Sequence, residues 1–275
     1  MSVTRAVVFE SEGTPLVGIV DIPAQPRQTG LLVVTGGPQY RVGSHRLFTL
    51  LCRNAATHQF ASMHFDFRGS GDSIGKRLSF ESLAPDIDAA ITKLLDVVPQ
   101  LRQIVILGLC DGASAALMYA HRDSRVAGVI MLNPWVHTEG SMEHARVRWY
   151  YPARLISSGF WKRLLRGKVN ILKSLRSLQQ HLGATYTAEA GFLQSMLFGA
   201  RQFDGRVLVL LSGQDMTAQE YRVLLNSSDD WRLQMTQDSV QQHVLKEANH
   251  TFASAEWREA VFGHCVSFLK EQDDD

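Results

Sequence analysis

The stretch "ILGLCDGASAAL" (residues 106–117) carries the strongest signal for the fold. Its first half is apolar, as expected of a strand buried on both faces of a parallel sheet, and its second half starts a helix of small residues. Between the two halves, Gly108 and Gly112 flank Cys110 at a spacing of two residues. A turn of this pattern strains its central residue and leaves no room for large neighbours. The sequence predicts that Cys110 is presented as a nucleophile; a cysteine that fills the core is the alternative reading of this short pattern.

The helix that follows this turn adds a second argument for a reactive Cys110. The positive end of a helix dipole favours the thiolate form of a thiol placed there. Ser114 lies further along the same helix and is a poor candidate for the nucleophile. Cys52 and Cys265 fall within apolar helical patterns, which predict core positions for both.

A nucleophile at such a turn needs a base and a carboxylate, which follow it in chain order. Asp215 comes just after the apolar run at 206–213, and His250 lies in a loop before the last predicted helix. We expect Asp215 to fix the imidazole tautomer and His250 to take the thiol proton and pass it to the leaving group. Asp215 as a helix N-cap and His250 as a surface histidine are the alternatives. Glu220, just over one helical turn beyond Asp215, is a second candidate for the acid.

The negative charge that develops on a substrate oxygen needs backbone N–H donors, which form an oxyanion hole. We expect one donor from Asp111, which follows the nucleophile, and one from the loop after the run "LLVVTGG" at 31–37. Pro38 has no N–H, so Gly37 is the better candidate. The carboxylate of Asp111 would oppose thiolate formation and repel anionic substrates unless it turns away or finds a basic partner.

Short apolar runs alternate with longer helical patterns, which is typical of parallel strands joined by crossover helices. The predicted central strands lie at 31–37, 61–67, 103–109, 126–132 and 206–213. The predicted helices lie at 44–58, 79–98 (with a break near Pro85), 112–122 and 255–272, and residues 15–23 are expected to form an antiparallel edge hairpin with the run before them. The sequence thus predicts a single α/β domain over residues 1–275, with a mostly parallel central sheet flanked by helices.

The alternation stops between about residues 136 and 202, where helical periodicity continues without a clear strand. We interpret this segment as a helical cap inserted between two strands of the sheet. Its basic residues are Arg146, Arg148, Arg154, Lys162, Arg163, Arg166, Lys168, Lys173 and Arg176. A solvated helix surface explains them, and a site for an anionic substrate or an acidic partner is the alternative.

Charge, glycine spacing and cysteine spacing argue against three further classes of ligand. The net charge of +1 over 275 residues gives no case for a nucleic-acid partner. The motif "DFRGSGDS" (66–73) lacks the glycine spacing of nucleotide-binding loops, so we expect a tight structural turn and no cofactor. Three cysteines match neither a disulfide framework nor the spacing of a zinc site, and no metal is expected from them.

The sequence also gives an expectation for the cellular compartment. Free cysteines suit a reducing cytosol. The amino-terminal residues break their apolar runs before a signal-peptide core could form, and no segment is apolar for long enough to span a membrane. We therefore expect a cytoplasmic protein without a membrane span, whose oligomeric state the sequence does not indicate.

Five motifs now stand in one order along the chain: the Gly-Gly-Pro loop, "DFRGSGDS", the cysteine turn, "SGQD" and "NHTF". Together they resemble the α/β-hydrolase superfamily over nearly the whole chain. More narrowly, "GGPQYRVGSHR" with "GLCDGASAAL" is similar to the exosortase A system-associated hydrolase 1 family of bacteria. The resemblance implies a Cys-His-Asp triad, a cytoplasmic bacterial enzyme and a link to exosortase or exopolysaccharide pathways. The sequence departs from the common superfamily pattern in carrying Cys110 for serine, and Thr35 where a histidine often precedes the oxyanion glycine.

These observations predict acyl transfer through Cys110, either to water or to an acceptor alcohol or amine. The substrate would be a small-molecule or acyl-carrier ester or thioester. One alternative is a non-catalytic protein that engages an acidic partner through the basic cap. A redox-responsive protein that uses the same thiol is a third hypothesis.

Overall fold

The computed structural model describes residues 2–37, 39–137 and 191–274. The strands are β1 (Val3–Ser11), β2 (Thr14–Ile22), β3 (Thr29–Val34), β4 (Ser62–Asp66), β5 (Gln103–Leu109), β6 (Val126–Leu132), β7 (Arg206–Ser212) and β8 (Val240–Leu245). The helices are α1 (Leu47–Thr57), α2 (Ala84–Val97), α3 (Asp111–Ala120), α4 (Gly191–Gln202), α5 (Met216–Ser227), α6 (Asp229–Met235) and α7 (Ala255–Asp274). Short 3-10 turns at Ser44–Arg46 and Phe80–Ser82 precede α1 and α2.

The described strands form one sheet in the order β1-β2-β4-β3-β5-β6-β7-β8. β1 and β2 pair as an antiparallel hairpin at one edge, β2 runs antiparallel to β4, and the remaining neighbours are parallel. The α/β fold and the edge hairpin are therefore confirmed, and the five predicted central strands coincide with β3 to β7. The sequence analysis missed β8 as a strand, because its residues are partly or fully exposed and three polar residues in succession interrupt its apolar run.

The central strands are buried on both faces, and their side chains alternate between two cores. On β3, Leu32 and Val34 belong to the core beneath α2 and α3, whereas Leu31 and Val33 belong to the core beneath α1 and α7. Complete burial of each such side chain contributes about 1.5–3 kcal/mol. The period of two along a strand thus requires continuous apolar runs in a sheet that is covered on both sides.

Helix boundaries follow local chemistry. Pro85 lies in the first turn of α2, where its missing N–H costs no helical hydrogen bond, so the helix predicted for 79–98 begins at Ala84. Most of the predicted cap, including its basic residues, lies outside the described residues. Its last part is α4, which packs so closely on α3 that a Cβ on Gly199 would lie 2.7 Å from the carbonyl oxygen of Leu117. Within the described ranges, no helix combines the length and apolarity that a membrane crossing needs.

Candidate active site

The turn between β5 and α3 has the strained geometry expected of a nucleophile elbow. Cys110 has φ 60° and ψ −125°, a conformation that costs a non-glycine residue about 1–3 kcal/mol. A Cβ on Gly108 would lie 2.3 Å from the backbone carbon of Gly112, and one on Gly112 would lie 2.6 Å from the carbonyl oxygen of Val34. Both flanking positions therefore require glycine, because any side chain would collide with backbone.

Cys110 differs from the other cysteines in its exposure. It is half-buried at the start of α3, whereas Cys52 and Cys265 are fully buried, which confirms the core positions predicted for those two. The backbone of Cys110 is tied down by its N–H, which donates to the carbonyl of Leu132 at 2.9 Å. Ser114 is buried, and its hydroxyl donates to a backbone carbonyl 2.6 Å away, so it is not available for attack.

Asp215 and His250 lie together at the carboxyl ends of the strands, where open α/β sheets build their sites. Asp215 follows β7 and caps α5, because its Oδ2 accepts the N–H of Ala218 at 3.1 Å. The same Oδ2 lies 2.9 Å from Nδ1 of His250. The two roles considered for Asp215, helix cap and imidazole partner, are thus both filled by one carboxylate.

The imidazole of His250 lies between Asp215 and Cys110, with a hydrogen bond to each side chain. The bonds to Asp215 and Cys110 raise the pKa of His250 to about 10, against an opposing effect of burial. At neutral pH the ring therefore carries a proton on each nitrogen, with Nδ1–H on the side of the Asp215 carboxylate and Nε2–H left for the side of the Cys110 sulfur. The structure thus brings together Cys110, Asp215 and His250, the three residues singled out from the sequence.

A buried network that the sequence analysis missed holds the His250 loop. Asn133, directly after β6, donates from its amide to the carbonyl of His250 at 3.0 Å and to the hydroxyl of Ser212 at 2.9 Å. Ser212, the last residue of β7, donates in turn to the carbonyl of Asn249 at 2.8 Å. Asn133 has a φ of 45°, so strain accompanies this network as well. Polar residues at the ends of two apolar strands were the available sequence signal.

The carboxylate of Asp111 occupies the region where the oxyanion donors were predicted. It accepts hydrogen bonds from the backbone N–H groups of Gly37, Gly112 and Asp111 itself. Burial raises the pKa of Asp111, and these bonds and the charge of Arg77 oppose that rise. A Cβ on Gly36 would lie 2.3 Å from Oδ1 of Asp111, so glycine at that position makes room for the carboxylate. The N–H groups of Gly37 and Asp111, the two predicted oxyanion donors, therefore both interact with the carboxylate of Asp111.

The motif at 66–73 is a structural turn that braces the loop after β3. The buried carboxylate of Asp66 accepts the backbone N–H groups of Arg41 at 2.7 Å and of Asp72 at 3.0 Å, and it pairs with the guanidinium of Arg41. A Cβ on Gly71 would lie 2.2 Å from the carboxyl carbon of Asp66. These bonds position the segment that leads from Gly37 to α1.

Glu220, the second candidate for the acid, is placed elsewhere. It is buried on α5, and its carboxylate lies 3.1 Å from Nδ1 of His137. Asp215 therefore fills the place beside His250 for which both acids were considered.

Comparison with known proteins agrees with this architecture. The fold and the order of the site residues define an α/β hydrolase. Residues 40–189, more than half of the chain, match the family model Hydrolase_4, described as serine aminopeptidase S33, and the chain belongs to that family. The family description names a serine enzyme, whereas the elbow of this chain carries Cys110. No curated protein matches the chain by sequence.

Solved structures resemble the chain over nearly its whole length. An esterase of Pyrococcus furiosus superposes with a TM-score of 0.67 at 14% identity, covering 98% of this chain and 91% of the other. The α/β hydrolase GrgF of Penicillium gives 0.67 at 17% identity, with 99% and 100% covered. An acylaminoacyl peptidase of Pyrococcus horikoshii gives 0.60 at 16% identity, with 98% of this chain and 42% of that chain covered. One fold thus carries an esterase and a peptidase, so the fold does not select the bond that is cleaved.

Proposed function

We propose that the protein is a hydrolase or acyltransferase that acts on an ester or thioester through Cys110, His250 and Asp215. The observation that supports this most is the line of three groups, in which His250 contacts the sulfur of a half-buried, strained cysteine and holds the carboxylate of Asp215 2.9 Å from Nδ1. Membership of a hydrolase family supports the same class of reaction. The choice of ester or thioester over amide rests on the sulfur nucleophile.

The first half of the proposed reaction forms an acyl-enzyme. The thiolate sulfur of Cys110 attacks the carbonyl carbon, a C–S bond forms, and the carbonyl electron pair moves onto oxygen. The intermediate then expels the alcohol or thiol, which takes the proton held at Nε2 of His250. Asp215 stabilises the imidazolium while it holds that proton, which is why its bond to Nδ1 matters for the rate.

The second half transfers the acyl group to an acceptor. Water, an alcohol or an amine loses a proton to His250 and attacks the thioester carbonyl, and the C–S bond breaks to restore the thiolate of Cys110. In both halves the negative oxygen would be bound by the N–H groups of Gly37 and Asp111. Because the carboxylate of Asp111 now accepts those N–H groups, the substrate oxygen has to displace it.

Two finer proposals rest on sequence resemblance. The segments "GGPQYRVGSHR" and "GLCDGASAAL" support membership of the exosortase A system-associated hydrolases, and with it a bacterial cytoplasmic enzyme linked to exopolysaccharide or protein sorting. A small-molecule or acyl-carrier substrate fits that context. The basic part of the cap, which would contact such a substrate, belongs to residues outside the described ranges.

The proposal is tested with p-nitrophenyl esters and acyl thioesters of varied chain length, followed by intact mass. We expect an acyl adduct on the wild-type protein that disappears in Cys110→Ala and accumulates when His250→Ala slows its breakdown. Cys265→Ala, which removes a fully buried thiol, is the matched control and should keep the adduct. An adduct that persists in Cys110→Ala, or turnover unaffected by that change, would contradict the proposal.

A further inference from the structure

A second cluster of one cysteine, one histidine and one aspartate lies beneath α1, away from the candidate active site. Asp21 of β2, Cys52 of α1 and His64 of β4 expose 1%, 0% and 1% of their surface. One ligand atom from each lies within 4.8 Å of the others. The antiparallel register pairs Asp21 with Ser62, so Asp21 and His64 are diagonal neighbours on one face of the sheet. Cys52 meets them from the helix that covers this face.

Two polar atoms of this group lack hydrogen-bond partners among the residues that the structure describes. They are Nε2 of His64 and Oδ2 of Asp21, both shielded from solvent. The other carboxylate oxygen of Asp21 accepts the hydroxyl of Thr4 at 2.5 Å. A buried polar atom without a partner costs about 1–3 kcal/mol, and more when the group is charged. Two such atoms in one cluster therefore call for a ligand that satisfies both.

His64 is oriented as metal-binding histidines are. Its Nδ1 lies 3.0 Å from the carbonyl oxygen of Arg41, so the ring donates Nδ1–H to that carbonyl. In this tautomer the lone pair of the neutral ring lies on Nε2, the nitrogen that is buried without a partner among the described residues. A backbone carbonyl that fixes the tautomer from the far side of the ring is the usual support of a histidine ligand.

We propose that Asp21, Cys52 and His64 form a buried site for a divalent transition metal, with Zn²⁺ as the ion that fits best. The donors are one oxygen, one sulfur and one nitrogen, a set that zinc accepts and that Mg²⁺ and Ca²⁺ disfavour. On binding, the thiol proton of Cys52 is released to solvent and an S–Zn bond forms. The thiolate and the carboxylate then balance the two positive charges of the ion.

The proposed ion would link two neighbouring strands of the sheet and the helix that covers them. It joins β2, α1 and β4, and through the Nδ1 bond of His64 it reaches the carbonyl of Arg41. Arg41 is held at its other end by Asp66, in the segment between Gly37 and α1. Because all three ligand side chains are buried, the metal has to be bound as the chain folds.

The test uses the full-length chain with Cys110→Ala, which removes the partly exposed thiol and leaves the buried thiols of Cys52 and Cys265. After growth in zinc-supplemented medium and dialysis against a chelator, we expect one zinc per chain by elemental analysis. Growth with Co²⁺ should give a thiolate-to-cobalt charge-transfer band in the near ultraviolet. Adding Cys52→Ser should remove that band and lower retained metal about tenfold or more. Cys265→Ser, at an equally buried thiol, should leave both unchanged.

Each result of this experiment either supports or overturns the proposed metal site. A folded Cys110→Ala protein that holds no zinc or cobalt after such growth overturns the proposal, as does equal metal retention in the Cys52 and Cys265 variants. If Cys52→Ser does not fold, X-ray absorption at the zinc edge of the Cys110→Ala protein decides instead. One sulfur and one imidazole around the metal support the site, and a shell of oxygen alone contradicts it.

Discussion

The chain contains two groups made of the same three side-chain types, cysteine, histidine and aspartate, in different arrangements. In the first, His250 lies between Cys110 and Asp215 and uses its two sides separately. In the second, Nδ1 of His64 lies beside a backbone carbonyl, its Nε2 is buried without a partner among the described residues, and Asp21 and Cys52 lie close to the ring. The first arrangement suits the transfer of a proton between neighbouring groups, whereas the second places three possible metal ligands around one point.

Burial separates the two groups as well. Cys110 is half-buried at a strained turn, and the pKa of His250 is raised because a carboxylate and a sulfur lie beside it. Cys52 is fully buried, and burial raises the pKa of its thiol. A thiol in the second setting stays protonated and unreactive unless a cation replaces the proton. The same composition therefore suits the proposed attack on a substrate in one place and the proposed metal binding in the other.

The largest loss of activity should come from replacing Asp215, the carboxylate that contacts His250. We expect Asp215→Asn to lower kcat by about 10⁴-fold, the loss measured for the equivalent change in a serine protease, because the amide cannot stabilise the imidazolium. Asparagine is also a good N-cap, so the start of α5 should be kept. Steady-state kinetics on the best ester of the panel measure the effect.

The matched control for that variant is Glu220→Gln, at the other acid considered for the triad. Its carboxylate pairs with His137, so kcat should stay within a few-fold of the wild-type value. A loss in Glu220→Gln equal to that in Asp215→Asn would mean that Asp215 is not the special partner of His250.

The sequence analysis predicted the first group and missed the second for a physical reason. The turn around Cys110 is local, since Gly108 and Gly112 lie within two residues of it and their constraint is readable as a spacing. Asp215 and His250 follow from the general placement of sites at strand ends. Asp21, Cys52 and His64 come from three elements with no fixed spacing, so the search for zinc motifs excluded a metal there.

The difference between local spacing and tertiary arrangement also explains which other features the sequence analysis did not predict. β8 carries polar residues at an edge, so its run gave no strand signal. The bonds of Asn133 and Ser212 and the position of the Asp111 carboxylate depend on which strands become neighbours. Periodicity predicts an element and its buried face, but it does not predict the hydrogen-bond partner of a single polar side chain.

A middle-sized effect is expected from removing the carboxylate that occupies the oxyanion region. Asp111→Ala should speed acyl-enzyme formation about tenfold, because the substrate oxygen no longer competes with a charge-assisted bond worth about 1.5–3 kcal/mol. The backbone N–H of residue 111 is unchanged by the substitution. Stopped-flow detection of the released p-nitrophenol measures this step.

Asp111→Asn sharpens that result, since it keeps the size of the side chain and removes its charge. A rate between those of wild type and Asp111→Ala is expected. If both variants acylate more slowly than wild type, the carboxylate assists the reaction rather than blocks it, and the displacement step proposed above is wrong.

The smallest effect concerns stability and follows from the proton that His250 holds. Its pKa is about 10 in the folded protein against an ordinary value of 6.5, so folding favours the protonated ring. The resulting stabilisation is complete below about pH 6.5 and is lost as the pH rises to about 10. Asp215→Asn removes the main cause of the shift. The difference in Tm between wild type and this variant should therefore be largest near neutral or mildly acidic pH and shrink toward pH 10. A difference that stays constant across this range would show that Asp215 stabilises the fold without binding an imidazolium. The protonated state of His250 in the folded protein would then be contradicted.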